Sequence, residues 1–164
     1  MLKLNKAREL TIKMNQQNKD NVFEQLKVDE GVVNEVYLDH LGLPTFGVGH
    51  LVLESDPEHG QPVGTPVNEE RVRQCFDRDL DIAINECYAL YGESEFNDLP
   101  GEVQEILVNM MFNMGRNRLG GFKKFNAAVL DHDWKTAGVE GRDSRWYKQV
   151  TNRAERLMSR LEQV

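Results

Sequence analysis

Cysteine, long apolar runs and grouped metal donors are all scarce in this 164-residue sequence, and each shortage closes off a class of protein. Two cysteines, Cys75 and Cys87, are too few for a disulfide-stapled fold. They lie twelve residues apart on one face of a helix expected over residues 68–91, roughly 18 Å along its axis, so they cannot bond to each other. Reduced core thiols are expected instead. The longest apolar runs, such as Leu51-Val52-Leu53 and Ile106-Leu107-Val108, are far too short to span a bilayer, and the first residues lack the apolar centre of a signal peptide. Neither a membrane span nor a secretion signal is expected. His40, His50, His59 and His132 are scattered, with no Cys or His pair at zinc-ligand spacing. The expectation is no metal and no cofactor.

A basic surface is missing as well. The net charge of -7 argues against nucleic acid as a partner, because phosphate recognition needs a cationic stripe. The charge is uneven, however: residues 1–19 hold Lys3, Lys6, Arg8, Lys13 and Lys19 against Glu9, a local balance of +4. Residues 1–20 therefore read as a basic arm, in the plainest reading a solvated helical extension, in the alternative a contact for an anionic wall or partner. With 40% hydrophobic residues, the chain can bury one compact core or two small lobes that share a helix.

Periodicity predicts a mostly α protein with one small sheet towards its N-terminal side. Asp20 or Asn21 can cap a short helix in which Phe23, Leu26, Lys27 and Glu30 share a face, and Gly31 is a natural stop. Val36 to Asp39, a turn at His40-Leu41-Gly42, and the glycine- and β-former-rich stretch from Pro44 to Leu53 read as an antiparallel sheet. Residues 54–67, with three prolines and several acids, read as a loop. From an Asn68 cap, Val72, Cys75, Phe76, Leu80, Ala83, Ile84, Cys87, Tyr88 and Tyr91 recur at helical steps, interrupted by Asp79. Beyond Pro100 the chain reads as helix to its end, with Asp133 as a further cap.

Glu30 and Asp39 are two carboxyl groups in unlike settings. Glu30, expected on an apolar face in the last turn of a helix, meets desolvation and the negative end of the helix dipole, a setting suited to a proton donor. Asp39, beside a turn, is expected to be wetter and ionised, and Thr45, one strand away, can hold a water against it. Such a pair can serve acid and base in glycosidic bond cleavage. The spacing sharpens the reading. Glu30, eight residues, Asp39, five residues, Thr45, then Gly47-Val48-Gly49-His50 resembles the signature of the phage-type lysozymes, the muramidases of tailed-phage endolysins and tail-baseplate lysozymes. Further blocks of that family's pattern follow at Met111-Phe112-Asn113-Met114-Gly115 and at Ser144-Arg145-Trp146-Tyr147 continuing through Asn152-Arg153-Ala154.

The resemblance implies an α+β, two-lobed lysozyme-like fold, with a catalytic domain over 21–161: a sheet-bearing small lobe over about 31–67, a connecting helix over about 68–91 and a helical lobe over about 100–161. It implies hydrolysis, of the inverting kind, of the β-1,4 bond between N-acetylmuramic acid and N-acetylglucosamine in peptidoglycan, and so lysis of the bacterial wall. Glu30 would be the general acid, with Asp39 and Thr45 activating water; Leu51 and Phe112 match substrate-contacting positions, and Arg153 an arginine beside the catalytic glutamate. His50 and Asp79 match a structural salt bridge, in keeping with Asp79 on an otherwise apolar face. The implied partner is the glycan strand, met by a monomer or by a component of a phage tail. The implied location is the host cytoplasm with release towards the wall by a separate factor, or the virion tail. Two alternatives stand beside this: a lytic transglycosylase and a tail component without catalysis. The stretch from His50 to Asp79 is shorter than in the best-known phage endolysin, and Asn113, Phe125 and Glu140 depart from the residues usual at their positions, so no glycan contact is assigned to them.

Overall fold

The computed structural model describes residues 14–164, so the greater part of the basic arm, with Lys3, Lys6, Arg8 and Lys13, lies outside the described residues. Eight helices and one three-stranded sheet follow one another among the described residues: α1 (Gln16–Glu30), β1 (Val33–Leu38), β2 (Pro44–Gly47), β3 (His50–Leu51), α2 (Glu69–Tyr91), α3 (Glu93–Asn97), α4 (Gly101–Gly120), α5 (Lys123–Leu130), α6 (Trp134–Arg142), α7 (Arg145–Gln149) and α8 (Thr151–Glu162). This is the α+β, lysozyme-like architecture that the sequence pattern implies. The chain divides into two compact units, Phe23–Ile82 and the described residues up to Val22 together with Ala83–Val164. The boundary falls within α2.

Helix α1, which runs into the unit Phe23–Ile82, begins earlier than the sequence suggests. Asn15, rather than Asp20 or Asn21, accepts from the Asn18 amide at 2.8 Å, satisfying one of the N–H groups that open the helix. Gly31 closes it with φ of +79°, a conformation that costs a glycine little. The sheet is antiparallel in the order β1-β2-β3, and the turn between β2 and β3 uses Gly47 and Gly49 at positive φ. That turn splits Pro44–Leu53 into two strands instead of one continuous stretch. Glu35 bridges to Pro66, tying the loop over 54–67 to the sheet edge. Asn68 caps α2, accepting from the Arg71 amide at 2.8 Å. Leu26, Val36, Phe46, Val48, Val67, Val72, Cys75, Phe76 and Leu80 form the core of this unit.

The other unit is built on α4, in which every residue from Val103 to Met111 is buried. A helix enclosed on all sides must satisfy its polar groups internally. Gln104 does so by donating to the carbonyls of Phe96 and Leu99, and Glu105 by accepting from Asn18 at 2.6 Å. Asn109 accepts from Arg153 Nε at 2.9 Å. The ladder of α4 breaks at Gly115 (φ 77°, ψ 168°), the glycine of the Met111–Gly115 block. Asp133 caps α6 as its sequence position suggests, accepting from the Thr136 amide at 3.2 Å.

Candidate active site

Glu30, Asp39, Thr45, His50, Leu51 and Asp79 all belong to the unit Phe23–Ile82, whereas Phe112 and Arg153 belong to the other. Glu30 is the last residue of α1. It continues the i, i+4 ridge of Val22 and Leu26, both fully buried, but is itself exposed. The desolvated setting expected from periodicity is thus corrected: the ridge runs out of core one turn before Glu30. Its carboxylate leans over the β2–β3 turn, where a Cβ added to Gly49 would stand 3.9 Å from Glu30 Oε2. That distance is an ordinary van der Waals contact, so Gly49 is set by its positive φ of 63° rather than by the space beside Glu30.

Asp39 follows the end of β1, where the chain folds into the β1–β2 turn. Its Oδ1 accepts from the backbone amides of Leu41 (2.8 Å) and Leu43 (2.9 Å). The Leu43 amide above all, with the Leu41 amide and the His40 ring adding to it, outweighs the opposing effect of burial and holds the Asp39 carboxyl below its ordinary value. Asp39 is therefore a carboxylate at neutral pH, as its place beside a turn suggests. Thr45 lies in the central strand, paired with Tyr37 on one side and Leu51 on the other, so these three side chains form a row across one face. Thr45 is buried, and its hydroxyl donates to the Leu43 carbonyl at 3.0 Å. Leu51, at the end of the row, is exposed.

Sequence reasoning gave no role to Tyr37. Burial, then the charges of Asp39 and Glu30, push its phenol above the ordinary value. Tyr37 therefore feels the charge of both carboxylates. Its membership of the Val36–Asp39 run was the available signal, and alternation along β1 puts it on the same face as Asp39.

On the opposite face of β2 and β3, Phe46 pairs with His50, their rings 5.0 Å apart. His50 Nδ1 meets Asp79 Oδ2 at 2.7 Å, and its Nε2 meets Asp56 Oδ2 at 2.8 Å. Both ring nitrogens face carboxylate oxygens, so both hydrogen bonds are satisfied together when both nitrogens donate, as in the imidazolium form. Asp56 is the more deeply buried of the two partners and was missed in the sequence, where it is one acid among several in a loop. It also accepts from the Leu53 amide (2.8 Å) and Arg71 (3.2 Å), and Arg71 donates in turn to Glu58 at 2.6 Å. Donor atoms of His50, Asp56 and Cys75 lie within 4.8 Å of one another, a grouping that linear spacing does not reveal. His50 and Asp56 are already engaged with each other and with the surrounding ionic network.

Burial alone would lower the His50 value, but the hydrogen bonds and charges of Asp79 and Asp56 outweigh it and hold the ring above its ordinary value. A raised folded value stabilises the fold fully below the unfolded imidazole value near 6.5, and that contribution fades as pH rises through the folded value. Asp56 shifts the other way. Burial opposes its ionisation, but the Leu53 amide, His50 and Arg71 together lower its value, so its contribution is present above about pH 4 and lost towards acid. The urea midpoint should therefore be highest between about pH 4.5 and 6.5 and fall on the alkaline side. A midpoint flat from pH 6 to 9, or a neutral His50 ring by NMR at pH 6, would remove this account.

Arg153 is nearly buried and forks onto Asn109, through Nε to Oδ1 and through a terminal nitrogen to the backbone carbonyl at 3.3 Å. Phe112, on α4, is half-buried. Trp146 is packed in the core, its indole donating to Asn113 at 2.7 Å. No helix among the described residues is long and apolar enough to cross a membrane.

With an ionised carboxylate clamped by two amides, a hydroxyl on the neighbouring strand and a second carboxyl at a helix end, the site holds the groups for proton transfer to and from a reacting bond. The phage lysozyme family model matches residues 27–163, and the chain belongs to that family. It is 31% identical over 157 residues to the pre-baseplate central spike protein of Enterobacteria phage T4, covering 84% of this chain and 27% of that protein. It is 28% identical to a probable T4-type lysozyme of Dictyostelium discoideum, over 85% of this chain and 92% of the relative, and 28% identical to a peptidoglycan hydrolase of Pseudomonas phage phiKMV, over 87% of this chain and 16% of the relative. The chain thus spans about a quarter of the T4 spike protein and nearly all of the Dictyostelium protein.

Proposed function

We propose that this protein is a lysozyme, an endo-acting glycoside hydrolase that cleaves the β-1,4 bond between N-acetylmuramic acid and N-acetylglucosamine of bacterial peptidoglycan with inversion. The observation that carries the reading is the pairing of Asp39, ionised and fixed by two backbone amides, with the Thr45 hydroxyl on the adjacent strand. Glu30 protonates the leaving oxygen while Asp39 draws a proton from a water that Thr45 helps to place, the division of labour that inversion requires. Leu51 contacts the glycan, and the His50–Asp79 pair is structural. Family membership and the likeness to a probable lysozyme and to a peptidoglycan hydrolase support the substrate class. The match to a baseplate spike protein favours carriage in a virion tail over free release into a host cell.

Digestion of purified peptidoglycan, with the soluble fragments identified by mass, tests the reaction. Reducing muramic ends are expected from the wild type, with loss of most turnover in Asp39→Asn. Anhydromuramic ends would instead mean a transglycosylase, full activity of Asp39→Asn would require another base, and absence of fragments would mean a binding role.

A further inference from the structure

The backbone of the β1–β2 turn bears on a question that the proposed roles leave open, namely which way each hydrogen bond to an attacking water would run. Leu43 touches both halves of the water-activating pair. Its amide donates to Asp39 Oδ1 at 2.9 Å, and its carbonyl accepts from the Thr45 hydroxyl at 3.0 Å and from the Asp39 amide at 2.9 Å. Its side chain, by contrast, is 42% exposed and contributes little to the core.

A proton inventory follows from these bonds. A threonine hydroxyl has one proton and two lone pairs, and the proton of Thr45 is committed to Leu43. Both amide donors take the Oδ1 oxygen of Asp39, which leaves Oδ2 to accept from water. A water seated against the pair consequently finds two acceptors and must donate to each.

We propose that Leu43 is a positioning residue for the reaction: through its amide and its carbonyl it fixes Asp39 and Thr45 as paired acceptors, so that the water gives one hydrogen to Asp39 Oδ2 and one to Thr45 Oγ1 and turns its lone pair towards the sugar. The inference rests on the proposed roles of Asp39 and Thr45. In the step itself, the water lone pair forms the new bond to the anomeric carbon, and the O–H bond directed at Asp39 breaks, its proton passing to Oδ2. The glycosidic C–O bond breaks as its electron pair takes the proton of Glu30. Thr45 keeps its own proton throughout. Were its hydroxyl free to rotate, it could donate to the water and occupy the lone pair that must attack.

The test is to replace Leu43 by its α-hydroxy acid, turning the Gly42–Leu43 amide into an ester that keeps the side chain and removes the N–H donor. The Asp39 carboxyl is followed by carbon NMR titration, kcat and KM are measured on purified peptidoglycan across pH, and the thermal midpoint is recorded. The Asp39 titration and the acidic limb of kcat/KM are expected to move together to higher pH. Misplacement of the base should lower kcat on the order of 10²-fold, with KM little changed. Should the ester fold poorly, Gly42→Ala serves instead: Gly42 sits at φ +77° with nothing within 4 Å of an added Cβ, so an alanine there strains the turn without a clash. The same joint shift is expected.

An unmoved Asp39 titration would overturn the amide clamp whatever Asp39 does in catalysis. A moved titration with unchanged kcat and acidic limb, while Asp39→Asn is inactive, would overturn the positioning role and leave the reading of the site intact. An active Asp39→Asn would remove the reading itself.

Discussion

Glu30→Gln should leave a folded protein that no longer turns over. Glutamine has the shape and helix propensity of glutamate and keeps hydrogen-bonding capacity at the carbonyl, but it has no proton to give to a leaving alkoxide. General acid catalysis is worth typically about 10²–10⁴-fold, and a sugar oxygen is a poor leaving group without it, so turnover should fall towards the upper end of that range. Because Glu30 is exposed at the end of α1, the circular dichroism spectrum should be unchanged and the thermal midpoint within a few degrees of wild type. Peptidoglycan turbidity assays with calorimetry on the same preparations would check both halves. Substantial residual hydrolysis would reject Glu30 as the acid, and a collapsed midpoint would mean that the lost activity reports folding.

The largest loss of stability is expected at Asp56. Its side chain is 1% exposed and answers two cations, His50 at 2.8 Å and Arg71 at 3.2 Å. Asp56→Ala removes the buried partner that the two cations share, leaving His50 only Asp79 and Arg71 only Glu58 as carboxylate partners. Removing one partner of a buried ion pair costs about 3–5 kcal/mol, which for a chain of this size is a fall in thermal midpoint of roughly 10 °C. Asp79 also bonds His50 but is 25% exposed, so water can replace part of what it supplies, and Asp79→Asn should cost less. Thermal melts at pH 5.5, where His50 is charged, would rank the two. Equal midpoints for Asp56→Ala and wild type would show that the network is dispensable.

The two predictions differ in how far they could be read from the sequence. The family was legible because Glu30, Asp39 and Thr45 sit in a local pattern, within sixteen consecutive residues, whose spacing is itself the signal. Helix α2 was legible from a three-and-four repeat behind a capping asparagine, and α6 from Asp133. The exposure of Glu30 was not, because periodicity reports which face a residue shares and not where the core ends. Nor was Asp56: its meaning depends on partners 6 and 15 residues away, brought together by a loop that carries no periodicity. The start of α1 was misplaced because Asp20 and Asn21 are equally good caps in isolation, and the choice of Asn15 depends on the packing of the first helical turns, with Met14 already buried.

The placement of the two cysteines has a practical consequence. Cys75 belongs to one compact unit and Cys87 to the other, although both stand on α2, and burial pushes both thiols above their ordinary value. A thiol that is buried and protonated reacts with an alkylating reagent when its surroundings open. The rate at which each cysteine is labelled in the native protein is therefore a clock for local opening, one for each unit. Resolved by peptide mass, these two rates would measure how cooperatively α2 couples the melting of one unit to the other, with no probe added to the chain.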